Sequence, residues 1–391
     1  MVRASSMQKE MNIDDVIIPT AHQTMNFANG SGGRKEDYGR NMKKTVLAFD
    51  SFKGCITAKE ACDAAAEGVL SAFPDTTVVR MPLSDGGEGL VRCVRQILPT
   101  RTVSVKVHGP LMEDVLAEYA VSMDGRTAYM EMAAASGLTL LPQDRRNPMI
   151  TTTYGVGEMI ADAVKGGCRT VVMGLGGSAT CDGGRGMIEA LKDNDCLNPD
   201  CDVIAACDVN NPLFGLNGAA YIFAPQKGAN AGQVVLLDRQ LRAFAKETEL
   251  AGIARPELAD YPGAGAAGGL GYALLAYLKA ELHSGIDIML DLADFDGAIK
   301  DADLVVTGEG KSDEQTLMGK VPHGVLKRCR KANVPVWLLS GDIEDTSGML
   351  AHSFDFIRSI NENDNRPISV LMQPDVAKEN LTKTIKTIIM Q

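Results

Sequence analysis

The sequence predicts an α/β protein with one doubly wound domain and a second domain of mixed α/β structure. Three observations support this fold class. The chain opens with a strand, a loop, a helix and a strand, which indicates a parallel pair joined by a helical crossover. Short apolar strands that lead into glycine-containing or polar loops recur along the chain. The segment Thr102–Met132 instead alternates like antiparallel strands.

The first elements follow from local residue patterns. Thr45–Phe49 is a β-branched and apolar run, which predicts a buried strand followed by a polar loop. Thr57 and Glu60 form a capping-box pattern, which predicts a helix that extends to about Phe73. Thr76–Met81 predicts the next strand, parallel to the first.

The remaining elements are predicted in the same way, and no internal repeat is convincing. The antiparallel segment has turns at His108–Pro110 and Asp124–Gly125. The later elements are the strands Thr170–Met173, Val203–Ala206, Leu304–Thr307 and Val334–Ser340, a helix from about Arg185, and a closing amphipathic helix over Asn380–Met390.

Composition excludes several classes of protein. The chain has 391 residues, of which 45% are hydrophobic and 23% charged, so it is neither largely disordered nor a small disulfide-stapled module. Its net charge of −11 disfavours binding to nucleic acid or to anionic membranes. No apolar run is long enough for a membrane span, and the N-terminus lacks the apolar core of a secretory signal.

Cysteine and histidine usage narrows the chemistry further. The nine cysteines form no CxxC pair, which is typical of reduced thiols in a cytoplasmic protein, and the five histidines are too dispersed to predict a zinc site. No GxSxG motif or other hydrolase pattern is present. Residues 1–42 are polar and without periodicity, and we expect them to be a flexible tail.

Four acids follow predicted strands closely, each beside glycine or a polar loop residue. They are Asp50, Asp85, Asp208 and Glu309. Ligands of open α/β sheets bind beyond the carboxyl ends of strands, where converging acids repel one another unless a cation lies among them. Magnesium with a polyphosphate is the natural occupant. The alternative is that these acids are helix caps and turn residues.

A glycine-rich loop follows the strand Thr170–Met173. Its backbone N–H groups and the positive end of the next helix can hold phosphate. Asp182 in this loop can bind magnesium or act as the base that accepts the proton of an acceptor hydroxyl. The alternative is that the loop is a tight turn without a ligand. The nucleotide-binding candidates here are Gly176, Gly177, Ser178, Thr180 and Gly183.

Two further glycine motifs each lack part of the nucleotide-binding pattern that they resemble. The GAGAAG stretch that contains Gly265 and Gly268 matches a dinucleotide fingerprint, but no strand is predicted before Pro262. We expect a loop that meets a helix N-terminus and holds an anion, or glycines that allow close helix packing. Gly310-Lys311-Ser312 lacks the upstream glycine of a phosphate-binding Walker loop.

Three lysines lie in loops that contain glycine or proline. Lys53, Lys227 and Lys320 can each reach a phosphate as a point charge, or be ordinary solvated lysines. We also expect Ser51 and Gly308, which flank the acids Asp50 and Glu309, to bind the nucleotide.

The chain resembles the type I (bacterial) glycerate kinases over about residues 44–391. The resemblance rests on eight blocks in the family's order, which are VLAFDSFKGCITAKEA, MPLSDGGEG, TTTYGVGEMI, GLGGSATCDGGRGM, ACDVNNPLFG, FAPQKGA, PGAGAAGGLGYAL and VTGEGKSDEQTLMGKVPHGV. It implies a Rossmann-like or flavodoxin-like domain of residues 43–80 and 295–391, interrupted by an inserted α/β domain of residues 81–294, with the active site in the cleft.

The resemblance also implies an activity, namely phosphorylation of D-glycerate by ATP and Mg²⁺, with 2-phosphoglycerate favoured over 3-phosphoglycerate. We expect Asp182, or alternatively Asp313, to take the acceptor proton. Lys53 would hold phosphates, and Lys227 or Lys320 would balance the glycerate carboxylate. Magnesium would be shared by acids drawn from Asp50, Asp182, Asp208 and Glu309.

One departure from the family keeps alternatives open. The segment between Leu191 and Cys207 is shorter than expected, which would remove an edge hairpin of the inserted domain. Two competing interpretations therefore remain. The protein is a kinase of another small hydroxy acid or polyol, or it is a non-catalytic metabolite-binding relative. We expect no nucleic-acid or membrane partner, and a homodimer is a possible assembly.

Overall fold

The computed structural model describes residues 42–84, 89–197 and 200–390. The predicted tail lies outside this range apart from Met42, and so does Asp85. Met42 is 7% exposed, and its carbonyl oxygen accepts a hydrogen bond from the Thr76 hydroxyl at 2.7 Å. The last residue assigned to the tail therefore belongs to the packed structure.

The first sheet consists of five parallel strands, numbered along the chain with all other strands. They are β1 (Lys44–Phe49), β2 (Thr77–Arg80), β9 (Leu304–Gly308), β11 (Val336–Ser340) and β13 (Phe356–Ser359). Their order across the sheet is β13-β11-β9-β1-β2. This arrangement confirms the predicted parallel pairing of the first two strands.

The second sheet has six strands in sequential order and is mixed. They are β3 (Thr100–His108), β4 (Asp114–Ser122), β5 (Thr127–Glu131), β6 (Thr170–Gly174), β7 (Asp202–Ala206) and β8 (Glu281–His283). The first three pair antiparallel, as predicted, and β5 to β8 run parallel. A two-stranded parallel pair is formed by β10 (Lys311–Ser312) and β12 (Asp342–Ile343).

Helices connect and cover these strands. They are α1 (Ala58–Ala72), α2 (Leu90–Ile97), α3 (Ala133–Ser136), α4 (Tyr154–Lys165), α5 (Arg185–Asp193), α6 (Ala219–Phe223), α7 (Ala231–Leu250), α8 (Ala266–Tyr277), α9 (Gly285–Leu292), α10 (Phe295–Ile299), α11 (Val321–Ala332), α12 (Met349–Ser353), α13 (Ile368–Leu371) and α14 (Pro374–Ile389). No helix in the described ranges has both the length and the apolar character needed to span a bilayer.

The ends of two helices show how local chemistry fixes the boundaries. Thr57 caps α1 by accepting from the Glu60 amide at 3.2 Å, while the Glu60 carboxylate accepts from the Thr57 amide at 2.9 Å, which confirms the capping box. The closing helix α14 begins at Pro374, six residues before the predicted start. Proline is well suited to the first turn of a helix because it lacks the N–H that would be unpaired there.

The layers alternate between helices and sheets. Helices α1 and α14 cover one face of the first sheet, and α4, α5, α7 and α8 pack with one face of the second sheet. A third core contains side chains of α2, α9 and α11 together with side chains of both sheets, such as Val46 and Val172. The two sheets therefore share an apolar layer, which stabilises their relative position through buried area.

The strands of each sheet come from distinct parts of the chain. The first sheet draws on the two ends of the described chain, and the second draws on the middle. This distribution agrees with a domain of residues 43–80 and 295–391 interrupted by residues 81–294. The exact domain boundaries stay a prediction, because one core contains residues from both segments.

Candidate active site

Three connected cavities lie at the carboxyl ends of the strands. The central cleft, of about 900 Å³, lies between the two sheets and is lined by residues that include Asp50, Lys53, Arg92, Gly176 and Gly177. The outer cavity, of about 410 Å³, shares Asp50 and Lys53 with the cleft. The inner cavity, of about 440 Å³, shares Gly176 and Gly177 with it. A ligand in the cleft can therefore extend into a cavity on either side.

Strand register explains why these groups meet. Phe49 pairs with Gly308 across β1 and β9, so the next residues, Asp50 and Glu309, leave the first sheet side by side. In the second sheet Gly174 pairs with Ala206, which places the glycine-rich loop beside the loop that carries Asp208. Parallel strands thus bring residues that are far apart in sequence to one sheet edge.

The loop after β1 presents an acid and a lysine. Asp50 is 6% exposed, its amide donates to the Gly308 carbonyl at 3.0 Å, and its carboxylate accepts from the Ser51 amide at 2.6 Å. Phe52 is buried and anchors the loop, whereas Lys53 is exposed at its tip and lines the cleft. This loop can place a mobile positive charge near phosphate groups.

Glu309 and Lys320 form an ion pair in the wall of the outer cavity. Glu309 is 7% exposed, and one carboxylate oxygen accepts from the hydroxyls of Thr316 at 2.7 Å and Ser312 at 3.2 Å. Its other oxygen lies 3.3 Å from Lys320 Nζ, which is also 3.8 Å from a carboxylate oxygen of Asp313. Lys320 therefore already has two carboxylate partners, which makes it a poor site for a further carboxylate.

Lys227, in contrast to Lys320, has no carboxylate partner among the described residues. It ends a 3₁₀ turn, Pro225–Lys227, and is only 2% exposed. Its Nζ donates to the Ser178 hydroxyl and to the Thr180 carbonyl, both at 2.7 Å, but it forms no ion pair with a described carboxylate. Burial lowers the pKa of Lys227 to about 8, although Cys181 and Asp182 oppose this shift. A buried ammonium group with one unused donor thus lines the inner cavity.

The glycines predicted to bind nucleotide divide into two groups. Gly176 and Gly177 lie on the cavity walls, and neither amide donates a hydrogen bond to another described residue. Gly177 has a φ of +74°, a conformation that favours glycine. These two amides are available to an anion between the central cleft and the inner cavity.

The other four predicted glycines, Gly183, Gly265, Gly268 and Gly308, are closely packed, and their nucleotide-binding role stays a prediction. A Cβ at Gly308 would overlap the Leu339 carbonyl oxygen, and one at Gly265 would overlap that of Pro212. At Gly268 a Cβ would overlap the Thr180 carbonyl oxygen, and at Gly183 it would lie 2.9 Å from the Phe244 ring. None of the four is on the walls of the three described cavities.

Asp182 lines a separate cavity and is engaged in structural hydrogen bonds. One carboxylate oxygen accepts from the Thr153 amide and hydroxyl, both at 2.8 Å, and from the Gly186 amide at 3.2 Å. The other accepts from the Gly184 amide at 3.0 Å. Asp182 thus joins the starts of α4 and α5, and this position does not favour the predicted catalytic role, which stays a prediction.

The other candidate acids differ in their surroundings. Asp208 lines the inner cavity with Lys227, and one of its carboxylate oxygens accepts from the Gly285 amide at 2.8 Å. Asp313 caps a short 3₁₀ helix by accepting from the Gln315 amide at 2.9 Å. Of these two acids, Asp208 is the one that shares a cavity with the buried lysine.

Sequence analysis did not identify Arg92. This arginine is exposed on the first turn of α2 and lines the central cleft together with Lys53. The signal available was its place just after the glycine- and acid-rich block MPLSDGGEG. The amides of Gly89 and Leu90 at the start of α2 donate to Glu131, whereas the Arg92 side chain is exposed to the cleft and can contact an anion there.

The GAGAAG stretch lacks the setting of a dinucleotide fingerprint. A 3₁₀ helix over Pro256–Asp260 precedes it, where the fingerprint requires a strand. The backbone at Ala267–Gly269 departs from helical dihedral angles although α8 continues around it. This confirms the expectation that no strand precedes Pro262.

Comparison with protein families agrees with this geometry. The model of the glycerate kinase family matches residues 45–195 and 192–391, which together cover most of the chain. The chain belongs to the glycerate kinase family. It is 43% identical over 345 residues to a glycerate kinase of Bacillus subtilis (strain 168) and 41% identical over 345 residues to a glycerate 2-kinase of Escherichia coli (strain K12). Both matches cover 81% of this chain and 90% of the relative.

A solved structure extends the likeness to the fold. The crystal structure from Salmonella typhimurium LT2, described as a glycerate kinase 2, has a TM-score of 0.77 and 37% sequence identity. The match covers 89% of this chain and 98% of that one. The α/β fold is therefore shared over nearly the whole of this glycerate kinase relative.

The segment between Leu191 and Cys207, which is shorter than expected for the glycerate kinase family, does not interrupt the second sheet. The two family-model matches meet at residues 192–195, where α5 ends. Beyond the break, β7 pairs with β6 on one side and with β8 on the other, so it is an interior strand. The described residues therefore show no loss of a strand from the interior of this sheet, and the non-catalytic alternative stays untested.

The close packing of Gly268 predicts a large loss of stability in Gly268→Ala. The added Cβ would overlap the Thr180 carbonyl oxygen, and the alanine would have to adopt a φ of +70°, which is unfavourable for a residue with a side chain. We expect the free energy of unfolding to fall by about 3 kcal/mol or more, measured by urea denaturation. The control is Gly125→Ala, whose φ of +74° is similar but whose surroundings are open, with an expected loss of about 1 kcal/mol. Equal losses in the two variants would contradict the packing role.

The hydrogen bonds of Asp182 predict a structural effect of Asp182→Asn. An asparagine amide group would face N–H donors, and the charge that strengthens the remaining bonds would be lost. We expect a loss of about 2 kcal/mol in the free energy of unfolding. Asp195→Asn is the control, because Asp195 is exposed with a φ of +54°, which asparagine tolerates well. A fully stable Asp182→Asn protein without turnover would instead restore the catalytic role.

Proposed function

We propose that the protein transfers the γ-phosphoryl group of ATP to D-glycerate, forming ADP and 2-phosphoglycerate. The observation that carries this proposal is Lys227, a buried ammonium group without a described acidic partner at the wall of a small cavity. Such a group favours a substrate that brings its own carboxylate, and disfavours a neutral polyol such as glycerol. The name of the Escherichia coli relative, glycerate 2-kinase, supports the choice of product.

The three cavities suggest how the substrates are arranged. The glycerate carboxylate binds Lys227 in the inner cavity, and the hydroxyl that reacts lies towards Gly176 and Gly177. The triphosphate occupies the central cleft, where Lys53 and Arg92 neutralise its charge. The amides of the two glycines lie between the acceptor and the phosphates, which is the place where charge changes during transfer.

Asp208 is the acid that we assign to the acceptor hydroxyl. It lines the inner cavity beside Lys227, whereas Asp182 is enclosed by backbone donors and Asp313 caps a turn. A carboxylate in this position orients the hydroxyl and accepts its proton as the phosphoryl group is transferred. This assignment replaces the preference for Asp182, and it gives Asp208 a proton-accepting role in place of metal binding.

The acids at the edge of the first sheet fit a magnesium ion. Asp50 offers a nearly buried carboxylate at the border between the central cleft and the outer cavity. Glu309 lies beside it, but its oxygens already contact Ser312, Thr316 and Lys320. The described residues contain no cluster of three metal-ligating side chains. Magnesium needs only one or two carboxylates when phosphate oxygens and water complete its coordination. When bound, magnesium neutralises charge on the phosphate oxygens.

Product identification tests this function. Incubation with ATP, Mg²⁺ and D-glycerate, followed by phosphorus NMR, should give the resonance of 2-phosphoglycerate together with ADP. Parallel reactions with glycerol and tartronate test whether another small hydroxy acid or polyol is the better substrate. The resonance of 3-phosphoglycerate would overturn the assigned position, and nucleotide binding without any phosphorylated product would overturn the kinase proposal.

A further inference from the structure

The outer cavity has a part that the proposed phosphate and glycerate positions do not use. Its wall contains charged residues, among them Asp50, Lys53, Lys311 and Asp342, and also apolar side chains such as those of Phe52, Ile360 and Leu371. Its volume of about 410 Å³ is within the range typical of sites for small organic ligands. The cavity thus combines charged groups with apolar surface.

The position of this cavity relates it to the triphosphate. It shares the loop residues Asp50–Lys53 with the central cleft, and it shares no described lining residue with the inner cavity. A ligand that begins in the apolar part can therefore extend past Lys53 into the cleft, with its far end directed towards Gly176. Nucleoside triphosphates have this order of parts, with an apolar aromatic base at one end and phosphates at the other.

Two apolar side chains at the rim of this cavity are exposed. Ile368 in α13 is 67% exposed and Met372 is 43% exposed, and both line the cavity. Leaving such apolar surface in water is unfavourable, and a flat aromatic ligand covers it efficiently. Met372 also lies near the loop after β1, because a Cβ at Gly54 would be 3.5 Å from its Cε atom.

Two polar groups beside the apolar wall, the Asn361 side chain and the Gly341 amide, are already paired. The side-chain amide of Asn361 donates to the Gly341 carbonyl at 2.8 Å, and its oxygen accepts from Asn380 at 2.9 Å. The Gly341 amide donates to the Glu309 carbonyl at 3.1 Å. A base in this cavity therefore finds apolar contact, but few unpaired groups that read its hydrogen-bonding edge.

We propose that the outer cavity binds the purine base of the phosphoryl donor through apolar contacts, with weak discrimination between adenine and guanine. This proposal rests on the proposed kinase function. It assigns Ile368 and Met372 to nucleotide affinity and leaves phosphoryl transfer to the other two cavities.

Removal of the apolar contacts tests the proposal. In Ile368→Ala/Met372→Ala we expect KM for ATP to rise about tenfold, since about 1.4 kcal/mol of contact energy corresponds to that factor. KM for glycerate and inhibition by tripolyphosphate, which has no base, should stay within twofold. The matched control is Leu250→Ala, which removes an equally exposed apolar side chain at the end of α7, far from the cavities in sequence.

The outcomes separate this proposal from the proposed function. If the wild-type protein does not phosphorylate glycerate, the kinase function fails, and the base site fails with it. If the wild-type protein is active but the double variant keeps its KM for ATP, only the base site is overturned. Wild-type kcat/KM values for ATP and GTP should agree within about tenfold, and a preference above a hundredfold would overturn the weak discrimination.

Photolabelling gives a second, direct readout. Cross-linking of 8-azido-ATP to the wild-type protein, followed by peptide mapping, should place the label within residues 360–377. Labelling confined to the loops around Gly176 or Lys227 would overturn the assignment, because it would place the base in the inner cavity.

Discussion

Replacing Lys227 with methionine is expected to lower kcat/KM for glycerate by about a thousandfold without lowering the melting temperature. An ion pair between a buried ammonium group and a substrate carboxylate contributes about 2–5 kcal/mol, and about 4 kcal/mol corresponds to that factor. Methionine has a similar length and no charge, so the cavity wall is preserved. Steady-state kinetics and calorimetry of the same preparations measure the two effects.

The unchanged or increased stability follows from the position of the charge. Burial lowers the pKa of Lys227 from 10.5 to about 8, so at neutral pH the folded protein holds a charge that its surroundings disfavour. A shift of this size corresponds to about 3 kcal/mol of unfavourable free energy. Methionine removes this cost, while the Ser178 hydroxyl and the Thr180 carbonyl lose one hydrogen bond each. The two effects oppose each other.

Activity and stability should therefore respond to pH in opposite directions. Lys227 is charged below its folded-state pKa of about 8, so kcat/KM for glycerate should fall as the pH rises through that value. Between this pKa and the ordinary value of 10.5, the unfolded chain binds more protons than the folded protein. The contribution of Lys227 to the free energy of unfolding therefore becomes more favourable as the pH rises through this interval.

The methionine variant isolates this contribution, because other groups titrate in the same pH range. The unfolding free energy of Lys227→Met minus that of wild type should decrease between pH 8 and pH 10.5, because only the wild type gains stability from this group as the pH rises. Lys106→Met is the control, since Lys106 is exposed, is paired with Asp114 at 2.6 Å and lines none of the three cavities. Unchanged glycerate kinetics in Lys227→Met would show that the carboxylate binds elsewhere, and Lys320 would then be the next candidate.

Local sequence patterns predicted the backbone well. Thr57 and Glu60 sit where a capping box requires them, and the strands β1, β6, β7 and β9 appear within a residue of their predicted bounds. These elements depend on near neighbours in the chain, such as a cap three residues away or an apolar run. The start of α14 was placed too late because its first turns are polar, so their apolar pattern is weak.

The state of each side chain at the site was harder to predict, because it depends on residues far apart in sequence. Lys53, Lys227 and Lys320 look alike as lysines in loops. In the structure Lys53 is exposed, Lys227 is buried and has no acidic partner among the described residues, and Lys320 is paired with Glu309. Only strand register and packing, which sequence reasoning does not supply, create this difference.

The same limit applies to glycine and aspartate. Gly177 and Gly268 both adopt positive φ, but the first lies on a cavity wall while the second allows two loops to approach closely. Asp182 and Asp208 both follow strands of the second sheet, but only Asp208 shares a cavity with Lys227. Residue type and spacing identified loops that line the cavities, while the surroundings of each side chain within a loop required the tertiary contacts.

Asp208→Asn is expected to lower kcat by about a thousandfold while KM for ATP changes little. Removal of a positioned proton acceptor typically costs a factor of 10² to 10⁴ in the chemical step. Asparagine keeps the oxygen that accepts from the Gly285 amide, so the start of α9 should be preserved. Single-turnover kinetics separate the loss in phosphoryl transfer from changes in nucleotide binding.

Comparison of three variants decides which acid accepts the proton. Asp313→Asn should retain kcat within about tenfold, because Asp313 caps a turn and its side-chain oxygen can still accept from the Gln315 amide. The main effect of Asp182→Asn should be a loss of stability. At a low temperature, where this variant is folded, its turnover should stay well above that of Asp208→Asn. If Asp313→Asn shows the large loss in kcat while Asp208→Asn remains active, the acceptor hydroxyl lies beside the Glu309 and Lys320 pair. The direction of the substrates through the three cavities would then be the reverse of the one proposed.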